Sequence, residues 1–358
     1  MWPTTFPAAR SMLWGLWIAA PFASTFLAPD LSTSQLTQMF QDFMRQFNKT
    51  YLSQEEMQYR FKVFVQNLEV SRQLQAEELG TAQYGVTRFS DLTESEFAMM
   101  FGIPQPSQLG LPPSLRDSDN SRLEKLTKSC DWRKAGVIPA VKYQGRKCRS
   151  CWAFAAVSNI EALWNIHRHV PRNLSVQEVL DCTYNKTGCL GGYVWDGLRT
   201  VFNSSGLSNS LLYPYTGRNQ TCQKHQKRTA THIDGYELLP RDENYIARIV
   251  ASQGPVTALL NQARLQNYQK GIIRSPSQSC NPKLLDHAAL IVGYDEVKSR
   301  RGSWVGPYWI IQNSWGERWG EKGYFRLHRG TNTCGIAMFA ATALVRDSEG
   351  KKPVVCRP

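Results

Sequence analysis

At 358 residues the chain is too long for one ordinary domain and long enough for a presequence and two or three packed units. Its 42% apolar and 11% aromatic content exclude general disorder. The net charge of +13 comes from scattered Lys and Arg, with short clusters at Arg146-Lys147-Arg149, Lys224 to Arg228 and Lys298 to Arg301. Without a zinc-finger, helix-turn-helix or RNA-binding signature, such a surface speaks for solubility and against a nucleic-acid partner.

The N-terminus reads as a signal peptide over residues 1–25. Arg10 precedes an apolar run from Met12 to Ala20, followed by Pro21 and small residues, with cleavage expected between about residues 23 and 29. The run is too short to span a bilayer, and no later stretch is long enough, so no transmembrane segment is expected. Five N-x-S/T sequons, at Asn48, Asn173, Asn185, Asn203 and Asn219, agree with export as glycosylation sites. All nine cysteines follow residue 129. An odd number in an oxidising compartment implies paired thiols and one left over.

Residues 30 to 100 look helical. Thr33 or Ser34 is expected to cap a helix running to about Phe47. Ser53 and Glu56 form an S-x-x-E capping box that opens a second helix, ended by Gly80. Within it Glu56, Arg60, Phe64, Asn67, Ser71 and Gln75 are spaced three or four apart and lie on one stripe. Residues 83 to 91 suggest a short strand and turn. Residues 102 to 121, rich in Pro, Gly, Ser and Asp, read as a linker open to proteolytic nicking.

A new unit begins at Cys130-Asp131-Trp132. Residues 152 to 168 form a strongly apolar helix, and Ser175 to Leu180 a further helical turn. Thr231 to Leu239, Val256 to Leu260, His287 to Tyr294, Tyr308 to Gln312 and Gly323 to Leu327 read as strands, interrupted by a helix at Glu243 to Ser252. Helices first and strands later predict an α+β unit of two subdomains with a cleft between them. His167 and His169 lie two apart on the first helix and face different sides, so no metal site is indicated, and no cofactor is expected.

Cys151 opens the apolar helix within QGRKCRSCWAF. A thiol at a helix N-terminus feels the positive end of the peptide dipoles, which favours the thiolate, the form that attacks a carbonyl. Burial or disulfide pairing of Cys151 is the alternative that its position argues against.

The segment C-x-S-C-W-A-F resembles the active-site segment of the papain family of cysteine proteases, which includes the lysosomal cathepsins. Asp286-His287-Ala288 and Asn313-Ser314-Trp315-Gly316 match that family's downstream motifs, and the resemblance runs from residue 30 to 345. It implies a papain-like two-subdomain fold, with a helical left half, a β-barrel-like right half and an active-site cleft between them.

The resemblance also implies the roles. Cys151 is the nucleophile and His287 its base, held as a thiolate–imidazolium pair, with Asn313 orienting the ring. Trp315 shields that hydrogen bond, and Gln144 with the Cys151 amide makes the oxyanion hole. Gly191 and Gly192 let substrate backbone approach, and Tyr193, Val194 and Ala288 form the main apolar specificity pocket. Disulfides Cys148–Cys189, Cys182–Cys222 and Cys280–Cys334 follow from the same resemblance. Cys130 and Cys356 then remain as a fourth bridge, leaving Cys151 free.

The stripe on the second helix, together with Gly85, Phe89 and Asp91, resembles the family's inhibitory proregion. Ser71, Gln75 and Thr87 stand where other residues are usual. Gln75, the 89–94 segment and the cysteine-bearing tail resemble the cathepsin W and cathepsin F branch, cathepsin W most. The expected organisation is therefore a propeptide over 26–115 with its linker to about 128, and a peptidase domain over 129–358 with a tail at 346–358. Expected partners are polypeptide substrates, the chain's own propeptide as intramolecular inhibitor and cystatin-type inhibitors, for a monomer in the lysosome or endoplasmic reticulum lumen, or secreted. The function implied is a cysteine endopeptidase made as a zymogen.

Three departures point to a second reading, a papain-fold binding protein of weak or no activity. Gln144 precedes Cys151 by seven residues where relatives have six. Arg149 replaces a Gly. Residues 295–306 lengthen the connection between His287 and Asn313.

Overall fold

The computed structural model describes residues 31–104, 126–184, 187–204, 206–223, 230–297 and 306–358. The signal peptide, most of the linker, Asn185 and the tip of the 295–306 segment lie outside the described residues.

The propeptide comes first in the chain. Helix α1 (Thr33–Phe47) is capped by Ser32, one residue ahead of the expected cap, and α2 (Gln54–Glu77) by Ser53. Both pack through the aromatic cluster Phe40, Phe43 and Phe64. The capping box of α2 is half formed: Ser53 accepts from the Glu56 amide, but the Glu56 carboxylate takes the Leu52 amide. Strand β1 (Gln83–Tyr84) follows, then α3 (Glu94–Phe101).

The α2 stripe reads this return segment. Arg60 bonds the Glu96 carboxylate at 2.8 Å and the Asp91 carbonyl at 3.0 Å. The Asn67 amide donates to the carbonyls of Ser90 and Leu92, and Gln75 clasps Ala82 and Tyr84. Ser71 uses its hydroxyl on the Asn67 carbonyl one turn back.

The second unit is α+β, as expected. Strand β2 (Cys130–Asp131) leads to α4 (Cys151–Arg168), α5 (Val176–Cys182) and α6 (Val194–Asn203). Then come β3 (Gly235–Leu239), α7 (Glu243–Ser252), β4 (Val256–Leu260), β5 (Tyr268–Lys270), β6 (Ile272–Ile273), β7 (His287–Val297), β8 (Gly306–Gln312), β9 (Tyr324–His328) and β10 (Ala340–Leu344).

The main sheet runs β3-β10-β4-β7-β8-β9-β6, with β2 on β7. This path is open, with edges at β3 and β6, so the β half is not a closed barrel; that part of the expectation is corrected. The short strands β6 and β9 pair in parallel at one edge, and among the described residues nothing bonds them back to β3. The β7–β8 ladder continues to Val297 and Gly306, so the described part of the long His–Asn connection is a pair of extended strands.

The two units meet by strand addition. Strand β1 pairs antiparallel with β5, and Thr81, Ala82 and Gly85 continue the bonding onto Ile272 and Asn267. Thr87 donates its hydroxyl to the Gln266 carbonyl at 2.6 Å. Arg264, buried in the second unit, closes on the C-terminal end of α2 through Glu77, Glu78 and the Leu74 carbonyl, where a cation also complements the helix dipole.

Candidate active site

Helix α4 is mostly apolar and buried on nearly all sides between α6, β7 and β10, which fixes the depth and direction of its first residue, Cys151. His287 begins β7, a strand of continuous small and branched apolar residues buried on both faces. Asn313 follows the last residue of its neighbour β8, whose Gln312 pairs with Leu290. Antiparallel pairing thus sets His287 and Asn313 side by side, at the sheet end facing the start of α4.

Four cysteine pairs form: Cys148–Cys189, Cys182–Cys222, Cys280–Cys334 and Cys130–Cys356. Cys151 alone is free. The His287 Nε2 donates to Asn313 Oδ1 at 2.8 Å. The Ser314 amide donates to the same oxygen, which orients the Asn313 amide and leaves Nδ1 of His287 as the basic nitrogen. Trp315 is fully buried with its ring 4.8 Å from the imidazole. Gln144 is buried, with its side-chain amide on the Cys148 carbonyl.

The cleft is filled by the chain itself. Helix α3, absent from the expected elements, delivers Phe101 onto the Trp315 ring beside Phe89 and Phe97. The Cys151 thiol donates to the Phe101 carbonyl across 3.8 Å. Nδ1 of His287 has no partner of ordinary hydrogen-bond geometry, although the Phe101 backbone is near enough to favour a proton on the ring. The Ile103 amide bonds the Asp286 carbonyl at 2.8 Å. Gly191, at φ +105°, admits this segment: a Cβ there would fall 2.6 Å from Pro104 Cδ. Ile103 joins the apolar cluster that holds Tyr193, Val194 and Ala288. The signal for α3 was present in Thr93-x-x-Glu96, a capping box that forms in full ahead of Phe97 and Phe101.

Burial works against the expected charge state in this form of the protein. Desolvation pushes the Cys151 thiol up to about 12, against the pull of nearby backbone amides, and lowers His287 to about 4. Both shifts favour a neutral thiol and a neutral imidazole while the propeptide covers them. Asp286 is also raised by burial, to about 6.

Gly192 also makes room inside the fold. A Cβ there would lie 2.7 Å from the Trp152 indole, itself fully buried. Gly192→Ala should lower stability by about 1–3 kcal/mol through overpacking, a fall of several degrees in the melting temperature. An unchanged midpoint in a thermal scan would contradict this packing role.

Two of the sequence departures are absorbed locally. The extra residue before Cys151 is taken up on the outside, where Gly145 turns at φ +78° with open space around it and Lys147 is exposed. Arg149 is not among the residues of positive φ, so replacing Gly there brings no strain; its guanidinium holds the Met99 carbonyl at 2.5 Å. Among the sequons, Asn48, Asn173, Asn203 and Asn219 are exposed. No cluster of three or more metal-ligating side chains occurs among the described residues. His167 bonds Asp347 and the Gln253 carbonyl, helping to seat the C-terminal tail.

Comparison with known proteins agrees with this arrangement. Residues 126–344 match the family described as papain family cysteine protease, and residues 40–97 match the cathepsin propeptide inhibitor domain (I29). The chain is 42% identical to cathepsin W of Felis catus and 40% identical to that of Mus musculus. The two alignments cover 90% of this chain, with 90% of the first relative and 91% of the second. Cathepsin F of Mus musculus is 38% identical over 87% of this chain and 65% of that protein. Among solved structures, a recombinant stem bromelain precursor superposes with a TM-score of 0.76 at 28% identity, covering 87% of this chain and 99% of that one. The ragweed allergen Amb a 11 in its proform superposes at 0.77 over 89% and 96% of the two chains, also at 28% identity. With a buried free thiol, a histidine bonded to asparagine and its own N-terminal segment across the cleft, the chain belongs to the papain family of cysteine proteases and carries that family's inhibitory propeptide.

Proposed function

We propose that the chain is the zymogen of a cysteine endopeptidase with Cys151 as nucleophile, His287 as base and Asn313 as orienter. On release of the propeptide the thiol proton passes to Nδ1 of His287, and the sulfur adds to the carbonyl carbon of the scissile bond. The carbonyl electrons move onto oxygen, met by the Gln144 side-chain amide and the Cys151 amide. Collapse expels the amine, which takes the proton from His287, and water then cleaves the thioester acyl-enzyme.

The observation that carries this reading is the Phe101 carbonyl. A peptide carbonyl already sits against the one free thiol, with the histidine beside it. Tyr193, Val194 and Ala288 around Ile103 support a pocket for an apolar substrate side chain, with Gly191 admitting its backbone. Four disulfides support maturation in an oxidising compartment, the lysosome or endoplasmic reticulum lumen. A cleft that accepts an extended chain also suits cystatin-type inhibitors.

Processed protein should cleave extended peptides, and Cys151→Ala should lower the rate about 10⁴-fold or more. The second reading, a papain-fold binding protein of weak or no activity, would rest on Gln144, one of whose two amide hydrogens is drawn back to the Cys148 carbonyl at 3.3 Å. Tight peptide binding by labelled, processed protein without cleavage would select that inactive binding role.

A further inference from the structure

Residue 144 is held at four points. Its backbone N–H donates to the Ser314 carbonyl at 2.9 Å, and its Oε1 accepts from the Ser314 hydroxyl at 2.6 Å. Its Nε2 donates to Cys148, and its backbone carbonyl accepts from the Tyr215 hydroxyl at 2.7 Å. A primary amide has two hydrogens, so the bond to Cys148 leaves one for the cleft.

The same Tyr215 oxygen lies 2.8 Å from the Ser150 hydroxyl. A carbonyl cannot donate, so the phenol proton goes to Gln144, and Ser150 donates to the phenol oxygen. Ser150 occupies the N-cap of α4, a position where serine ordinarily turns its hydroxyl onto the first-turn amides, yet it makes no such cap. Its hydroxyl is engaged by Tyr215 instead, with the Cys148 carbonyl farther off at 3.4 Å, so the amides of Cys151 and Trp152 receive no side-chain cap, while that of Ala153 bonds the Ser150 carbonyl. The Tyr215 ring is fixed edge-on against Phe154 of α4, with centroids 4.9 Å apart.

We propose that Tyr215 is a positioning residue for the oxyanion site: one phenol ties the backbone of Gln144 to Ser150, so that the side-chain donor of residue 144 and the backbone donor of residue 151 are held at a fixed separation. The need for such a tie is local. The chain between the two donors has one residue more than in relatives and turns through Gly145 in open space, so the loop alone does not set their distance.

This inference rests on the endopeptidase reading, and three measurements on processed protein separate the two. Tyr215→Phe should lower kcat/KM about tenfold, chiefly in kcat. Affinity for a peptide aldehyde, whose thiohemiacetal places an oxygen in the same site, should fall by a similar factor. Alkylation of Cys151 by iodoacetamide develops no oxyanion and should stay within about twofold of wild type. In a Gln144→Ala background, Tyr215→Phe should add little further loss. The proposal is overturned if alkylation falls in parallel with turnover, if the losses from the two substitutions multiply in full, or if turnover and aldehyde affinity both stay within twofold. Wild-type protein that alkylates but does not turn over peptide would defeat the endopeptidase reading alone, and aldehyde affinity would still decide the role of Tyr215.

Discussion

Iodoacetamide should alkylate Cys151 of the unprocessed chain about a thousandfold more slowly at pH 7 than it alkylates an ordinary exposed thiol. Thiolate is the reacting form, and burial under residues 101–104 pushes this thiol up to about 12. The thiolate fraction at pH 7 is then about one in 10⁵, against about one in thirty for a free cysteine. Steric cover by the Phe101 carbonyl lowers the rate further. The residual rate should climb about tenfold per pH unit. Once the propeptide is removed, the helix N-terminus and His287 act on a solvated thiol, and the rate should become fast and nearly flat through neutral pH. Equal labelling of unprocessed and processed protein would sink the assignment of the 101–104 segment as the cover.

The histidine adds a pH dependence of known sign. Covered, His287 stays neutral down to about pH 4; released, it titrates near its usual value of 6.5 or above. Its contribution to the covered state is therefore complete above about pH 6.5 and is lost as the pH falls toward 4. Asp286, raised to about 6, works in the opposite direction between that pH and its ordinary value of 3.8, to the extent that the propeptide causes its burial. Acid should favour uncovering through His287, with Asp286 blunting the response.

The second large effect is expected at Asp91. Lys49 places its ammonium 2.6 and 2.7 Å from the two Asp91 oxygens, and Tyr51 donates to one of them. The Lys49 and Asp91 side chains are 8% and 3% exposed. Desolvation outweighs the carboxylate's pull and lowers Lys49 to about 8, with Arg146 and Arg88 also opposing its charge. Asp91→Asn leaves that ammonium buried among cations with no counter-charge. Breaking a buried pair in this way costs about 3–5 kcal/mol, which is a hundredfold or more in the equilibrium between covered and uncovered cleft. Alkylation of Cys151 in the unprocessed chain reads that equilibrium directly, and it should rise by a comparable factor. A Lys49→Met, Asp91→Leu double variant removes both charges and should recover much of the cover. No change in labelling for Asp91→Asn would show that the pair does not hold the propeptide in place.

Much of the site is legible in residue type and spacing alone. Local signals place Cys151 at the head of an apolar helix, and the odd cysteine count leaves one thiol over. The spacing of Arg60, Asn67 and Gln75 draws a stripe that turns out to clasp residues 82 to 96. The helix at 243–252 and the strands around β4, β7 and β8 follow from periodicity with small boundary errors. Helices α3 and α6 and strand β10 were not expected. Helix α3 is only two turns long and β10 is mostly alanine, so their periodicity is too brief to stand out from loop, whereas α6 is as long as α7 and its amphipathic pattern was present in the sequence.

By itself the sequence determined which groups can do chemistry and which helical faces must be buried, because residue type and spacing act over one or two turns of chain. Only the tertiary structure decided that the sheet stays open, that Gly192 makes room for Trp152, and that Ser150 turns from its helix toward Tyr215. It also decided the burial that opposes a charge on the nucleophile. A helix dipole is a local property and argues for thiolate; desolvation depends on what packs above the sulfur, and here that is a segment fifty residues earlier in the chain, whose burial of the thiol outweighs the dipole.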